Sequence, residues 1–366
     1  MSFTEDDSLL MSRALELAAR GLGYVEPNPL VGCVLIRHGM VVGEGFHRKF
    51  GGPHAEIEAL RVAGERARGS TAYVTLEPCC HTGKTGPCTR ALIEAGVVRV
   101  IAAMRDPFPR VSGGGFAELS AAGIVVEEGL LAAQAARLNA AYLKRLHSGL
   151  PWVIAKWAMT LDGKIATHSG DSQWISSEAS RALVHELRGR VDAILVGGGT
   201  ARRDDPLLTA RPAGARTALR VVLDTKAHLA LDSQLLRTAR EVPLLVVVGP
   251  ASTAQDRERL QNAGAEVFVV HSTDHQQRIH EVLLELARRN CTNVLVEGGS
   301  RILGSLLDGQ LIDEVYAFVA PKIIGGFLAP SPMAGNGLSQ MNAALAFDGE
   351  WRASGQDMLY IGRRKS

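Results

Sequence analysis

No apolar stretch in the 366 residues approaches the ~18 uninterrupted residues a membrane-spanning helix needs, so a soluble chain with no membrane partner is expected. The first eight residues are acidic and lack the basic and apolar regions of a secretory signal, which makes the cytoplasm the expected compartment. Cysteine is sparse as well: there are five, an odd number, and Cys79, Cys80 and Cys88 fall close together. That distribution does not make a disulfide framework; it suits a metal site in a reducing compartment. Neither sign of charge dominates, with 40 Lys plus Arg against 38 Asp plus Glu and no long single-sign block. Binding to a polyanion by bulk electrostatics is therefore not expected. Repeats of fixed period and compositionally biased segments are also missing, which excludes fibrous and low-complexity classes.

What is present is glycine, 39 residues of it, beside only 5% aromatics. This fits an α/β protein whose strand-to-helix turns carry function. The length suggests two or three domains rather than one. Leu9 to Arg20 has helical spacing, Val31 to Ile36 and Met40 to Val42 flank Arg37-His38-Gly39 as a hairpin, and a helix begins at His54-Ala55-Glu56. Thr71 to Leu76 and Val97 to Ala103 read as strands with a helix at Thr89 to Ala95, followed by a small strand at Ile124 to Val126 and a closing helix at Leu130 to His147. Ser148-Gly149-Leu150-Pro151 breaks the pattern, so the domains are expected at 1–148 and 149–366. Beyond it, Val/Ile/Leu strands alternate with helices, which implies a largely parallel sheet covered on both faces.

The most informative cluster is His54-Ala55-Glu56 with Pro78-Cys79-Cys80 and Cys88. One imidazole and two thiolates suit tetrahedral zinc. Adjacent residues rarely aim at one point, so Cys80 is expected to be a buried inert thiol, leaving three ligands and an open position for water. Zinc brings the pKa of such a water toward ~7. Glu56, two residues after His54 on the same helix, is placed to shuttle its proton. This is similar to the zinc deaminases of nucleobases, except that eight residues rather than two separate the cysteines. The longer loop, with His81, two Thr, two Gly and Lys84, suits a phosphate on the substrate. A structural zinc, or none, is the plainer alternative. Cys33 and Cys291 read as core. Asn28 either caps a turn or contacts substrate, and His47, His81 and Lys84 carry the same ambiguity.

These residues resemble the bifunctional deaminase/reductase family of riboflavin biosynthesis, through Pro27 to Gly32, His54 to Glu56 and Pro78 to Cys88. The resemblance implies a cytidine-deaminase-like α/β/α domain with ligands His54, Cys79 and Cys88, proton donor Glu56, and substrate contacts at Asn28, His47, His81 and Lys84. It continues through Lys156 to Lys164, Ser172 to Ile175, Gly197 to Thr200, Asp204 to Arg211 and Val296 to Gly299, implying a C-terminal dihydrofolate-reductase-like α/β domain. There it implies that Ala158, Trp174, Thr200, Asp204 and the run Gly299, Ser300, Arg301, Ile302, Leu303, Gly304, Ser305 line an NADPH site. Ser172, Arg188, Leu208, Arg211 and Glu297 would face the substrate, with Lys156 or Glu297 positioning or protonating the opening sugar.

Read by itself, the second half agrees less sharply. Gly197-Gly198-Gly199-Thr200 and Glu297-Gly298-Gly299-Ser300 follow strands, where open α/β sheets bind ligands, and a helix near Arg301 offers amides to a pyrophosphate. They are also ordinary tight turns by composition. Arg188 and Arg211 are either solvated charges or a fork for a substrate phosphate. The expected chemistry is zinc-dependent deamination of 2,5-diamino-6-(5-phosphoribosylamino)-pyrimidin-4-one, then NADPH-dependent reduction of its ribose. The expected partners are that small phosphorylated pyrimidine and further copies of the chain as a homo-oligomer, not nucleic acid. A nucleic-acid base deaminase and a scaffold whose second half has lost chemistry are the competing readings; the balanced charge counts against the first.

Overall fold

The computed structural model describes residues 3–81 and 86–365. The chain folds as two compact units, Met1–Gly149 and Leu150–Ser366. Among the described residues no helix is long and apolar enough to cross a membrane.

In the first unit, α1 (Glu5–Ala19) starts at Thr4, whose hydroxyl accepts from Asp7 N while the Asp7 carboxylate takes Thr4 N. The expected hairpin forms between β1 (Gly32–Arg37) and β2 (Met40–Phe46). Both turn residues, His38 and Gly39, have positive φ (51° and 76°), the twist a two-residue connection requires. Helix α2 (Ala55–Ala63) lies directly on this hairpin, because a Cβ at Gly45 would collide with the backbone of Ala55 and Ala59. β3 (Thr71–Val74), α3 (Cys88–Glu94), β4 (Arg99–Ala102), α4 (Gly114–Ala121) and β5 (Val125–Glu128) complete a sheet ordered β2-β1-β3-β4-β5. Period-two alternation sends Cys33, Leu35, Ala72 and Val74 toward α2, and Val34, Tyr73 and Ile101 toward α1.

The helix expected over Leu130 to His147 is two, α5 (Ala132–Leu138) and α6 (Ala140–Ser148). They break at Asn139, whose buried amide accepts from Leu30 N at 2.8 Å and donates to Leu30 O at 3.0 Å. A partner 109 residues away overrides the local helical period.

The second unit runs β6 (Trp152–Thr160), α7 (Glu178–Arg188), β7 (Ala193–Gly197), α8 (Gly198–Asp204), β8 (Leu219–Leu223), α9 (Gln234–Arg237), β9 (Leu244–Val248), α10 (Ala254–Asn262), β10 (Glu266–Val269), α11 (His275–Arg288), β11 (Asn293–Val296), α12 (Ser300–Asp308), β12 (Glu314–Ala320), β13 (Phe347–Ser354) and β14 (Asp357–Arg364). The sheet order is β10-β9-β8-β7-β11-β6-β12-β14-β13. Strands β10 through β12 in that order are parallel, as expected, and apolar layers cover both faces, Ile194, Val222 and Val246 on one and Leu195, Val221 and Leu245 on the other. The edge departs from expectation: β14 is antiparallel to β12, and β13, rich in charged residues, is exposed along most of its length. The glycine run at 197–200 is also more than a turn, since it opens α8. The parallel order brings the C-terminal ends of β6, β11, β7 and β8 side by side.

Candidate active sites

In the first unit, His54 is the extended N-cap of α2, Cys88 is the first residue of α3, and Cys79 lies on the loop after β3. Their ligand atoms lie within 4.8 Å of one another, with His54 Nδ1 3.2 Å from Cys88 Sγ and 3.5 Å from Cys79 Sγ. A tetrahedral zinc with bonds of about 2.0–2.1 Å to nitrogen and 2.3 Å to sulfur sets N···S edges at about 3.5 Å, so the donor set fits that ion. Among the described residues no fourth His, Cys, Asp or Glu joins the group. The Cys88 amide donates to Cys79 Sγ at 3.4 Å. Hydrogen bonding from Cys88, against the effect of burial and with help from His54, lowers the Cys79 thiol to about 4. A sulfur already held as thiolate is ready to ligate.

Glu56 is buried two residues beyond His54, in the first turn of α2. Burial, reinforced by the Cys79 charge and opposed by His54, raises its carboxyl to about 7, where it both accepts and donates a proton near neutrality. A cavity of about 390 Å³ is lined by His54, Glu56 and Cys79 together with Asn28, His47 and His81. His47 Nδ1 lies 2.9 Å from the Pro53 carbonyl, which only accepts, so that nitrogen carries hydrogen. Its Nε2 is 3.2 Å from Asn28 Nδ2, which means that the Asn28 side chain is engaged by His47. His81 packs against Phe108 and has a buried Nδ1 without a partner. Lys84 lies outside the described residues. Cys80 stands apart from the ligand group and is half-buried, not fully buried as expected, with Sγ 3.8 Å from Arg110 O. Cys33 and Cys291 are core residues, as expected.

Sequence reasoning missed several residues of this cavity. Glu77 is buried and accepts four backbone N–H groups: Asp106 (3.3 Å) and Gly113 (3.0 Å) on Oε2, Gly115 (2.9 Å) and Phe116 (3.3 Å) on Oε1. It thereby fixes the loop that carries Asp106 and Phe108 into the wall. Asp106 Oδ1 in turn accepts from Tyr142 at 3.0 Å. Only its place next to Pro78-Cys79 pointed to Glu77, since Glu is rarely buried unless paired.

In the second unit, a cavity of about 1120 Å³ runs along the strand ends. Lys156, Ser172, Arg188, Leu208, Arg211 and Glu297 line it, and so do Ala158, Trp174, Thr200 and Asp204. From the run after β11, Gly299, Ser300, Arg301, Ile302, Leu303 and Ser305 reach the cavity. Gly304 does not: it faces the Ala334 carbonyl, against which a Cβ would clash, so its smallness serves packing. Arg188 is not a solvated charge, nor is it a free fork for phosphate. Its Nε and Nη2 hold the two Glu297 oxygens at 2.5 and 2.8 Å, deep in the cavity. Arg211, by contrast, is exposed. Burial would raise Glu297, but Arg188 and then Lys156 outweigh it and hold the carboxylate ionised. Lys156 is lowered by burial first and by Arg188, partly offset by Glu297.

A His/Cys/Cys centre with a buried glutamate, followed by a parallel-sheet unit with a long strand-end cavity, defines a cytidine-deaminase-like zinc domain joined to an α/β reductase domain. Comparison with known proteins agrees. Residues 4–104 match the family described as the cytidine and deoxycytidylate deaminase zinc-binding region, and residues 151–360 match the RibD C-terminal domain. The riboflavin biosynthesis protein RibD of Actinobacillus pleuropneumoniae is 40% identical over 93% of this chain and 91% of its own length. The solved structure of Acinetobacter baumannii RibD superposes with a TM-score of 0.88 at 36% identity over 99% of both chains. The Thermotoga maritima diaminohydroxyphosphoribosylaminopyrimidine deaminase/5-amino-6-(5-phosphoribosylamino)uracil reductase gives 0.84 at 36% identity, covering 98% of this chain and 99% of its own. The chain belongs to the RibD family of riboflavin biosynthesis proteins.

Proposed function

We propose that the chain performs two consecutive steps of riboflavin biosynthesis. Residues 1–148 deaminate 2,5-diamino-6-(5-phosphoribosylamino)-pyrimidin-4-one by hydrolysis, and residues 149–366 reduce the ribose of the product with NADPH. The observation that carries the first step is the fit of His54, Cys79 and Cys88 to zinc beside a buried Glu56 at a cavity. When bound, zinc supplies the Lewis acidity that makes water nucleophilic at neutral pH. Glu56 takes the proton of that water and hands it to the departing amine, a transfer its raised carboxyl suits in both directions. Asn28, His47 and His81 line the wall that orients the pyrimidine.

For the second step, NADPH supplies a hydride to the sugar C1. Opening a glycosylamine to its imine requires a proton on the ring oxygen and an acceptor for the nitrogen's proton. Lys156 and the ionised Glu297 stand in one cavity as donor to the ring oxygen and acceptor from the nitrogen, with Arg188 fixing the carboxylate, and the proton Glu297 takes would return to the nitrogen when hydride reaches C1. Arg211 is suited to the substrate phosphate.

A cytoplasmic location and a homo-oligomeric assembly belong to this reading. Five free cysteines suit a reducing compartment, and exposed apolar side chains such as Phe327 (99%), Met341 (88%) and Leu328 (78%) suit association. The test is to supply the diaminopyrimidine phosphate with and without NADPH. Ammonia release in both, and NADPH consumption only after deamination, are expected; NADPH loss without ammonia would refute the order of steps.

A further inference from the structure

Strand β8 is followed by Asp224-Thr225-Lys226-Ala227-His228-Leu229, and Asp224, Thr225, Lys226 and His228 line the reductase cavity. In dinucleotide folds an acid past such a strand takes the adenosine 2′-hydroxyl and rejects a 2′-phosphate, whereas a cation accepts it. Asp224 is here, but both oxygens are taken, Oδ1 by Arg202 Nη1 at 2.9 Å and Oδ2 by Leu229 N at 2.6 Å. Its charge is therefore answered inside the protein and is not offered to a ribose.

The turn that follows is held from several sides. Ala227 N donates to Asp224 O at 2.7 Å, Gly249 N donates to Thr225 O at 2.9 Å, and Arg259 grips the carbonyls of Ala227 and Leu229 at 2.6 and 3.0 Å. Ala227 is buried with φ 53°, a left-handed conformation that a non-glycine residue adopts only where its surroundings fix it. With Ala227 turned inward, its neighbours Lys226 and His228 are exposed, and both border the cavity. Among the described residues Lys226 has no hydrogen-bond or ion-pair partner, so a preorganised turn presents its ammonium to the cavity. Arg278, from α11, lines the same end.

Position supports the assignment. Lys156 sits on β6, the glycine turn before α12 follows β11, and Lys226 follows β8, three strand spacings from β6. At ~4.8 Å per strand that is about 14 Å, in keeping with an extended dinucleotide whose nicotinamide lies at β6 and pyrophosphate at α12.

We propose that Lys226 binds the adenosine 2′-phosphate of NADPH and sets the preference of this site for NADPH over NADH. The proposal rests on the reading of the second unit as an NADPH-dependent reductase, and binding separates the two. Dissociation constants for NADPH and NADH are measured by quenching of nucleotide fluorescence on the full chain, alongside turnover. Lys226→Glu and Lys226→Ala should lower the NADPH/NADH affinity ratio roughly tenfold or more, the loss of a charge-assisted contact, while Lys226→Arg retains it. An unchanged ratio in Lys226→Glu, or equal binding of both nucleotides by the unaltered chain, overturns the proposal. A ratio that falls in Lys226→Glu while the unaltered chain binds NADPH without ever oxidising it upholds the subsite and sinks the reductase reading.

Discussion

Arg188 holds both carboxylate oxygens of Glu297, Nε to Oε1 at 2.5 Å and Nη2 to Oε2 at 2.8 Å, with only 13% and 6% of the two side chains exposed. Arg188→Leu leaves the carboxylate buried beside Lys156 without its fork. Breaking a buried pair this way costs about 3–5 kcal/mol. The denaturant midpoint of the second unit should fall and NADPH oxidation should be lost, while ammonia release continues. A shift too small to resolve would mean that the pair is solvated in solution.

The same pair sets an acid limit. The folded-state value of Glu297 lies below its ordinary 4.5, so its contribution to stability is complete above about pH 4.5 and is lost as pH falls through the depressed value. Glu297→Gln should flatten that part of the acid-unfolding curve of the second unit. Superimposable curves for the two proteins would contradict it.

Glu77 accepts four amides, and an isosteric Gln turns an NH2 toward two of them. Glu77→Gln should destabilise the first unit by roughly 2–4 kcal/mol, the penalty of leaving two buried donors unmet. Ammonia release should fall with it, and reduction of already deaminated substrate should persist.

Asn139→Ala removes the partners of both Leu30 N and Leu30 O, again about 2–4 kcal/mol. Leu30 adjoins Asn28-Pro29 at the cavity wall, so the KM for the diaminopyrimidine should rise. Asn139→Asp keeps the acceptor and should lose less; equal losses would place the effect elsewhere.

Much of this was legible because it is local. His54 and Glu56 share one helical turn, the cysteines flank one loop, and strand-helix alternation follows from period. What escaped depends on pairing across the chain. Glu77 finds its amides from Asp106 to Phe116, Asn139 finds Leu30, and Arg188 finds Glu297 109 residues on, none of which any spacing announces. The edge strand β13 was hidden for another reason: a strand with both faces largely in water carries no apolar signal.

The proton role of Glu56 is tested most directly by assaying zinc content, ammonia release and reduction of pre-deaminated substrate together in Glu56→Gln. The expected protein binds one zinc, reduces the deaminated compound at the rate of the unaltered chain, and releases ammonia at least ~10²-fold more slowly. Ammonia release at the full rate from a zinc-loaded Glu56→Gln protein would contradict the account.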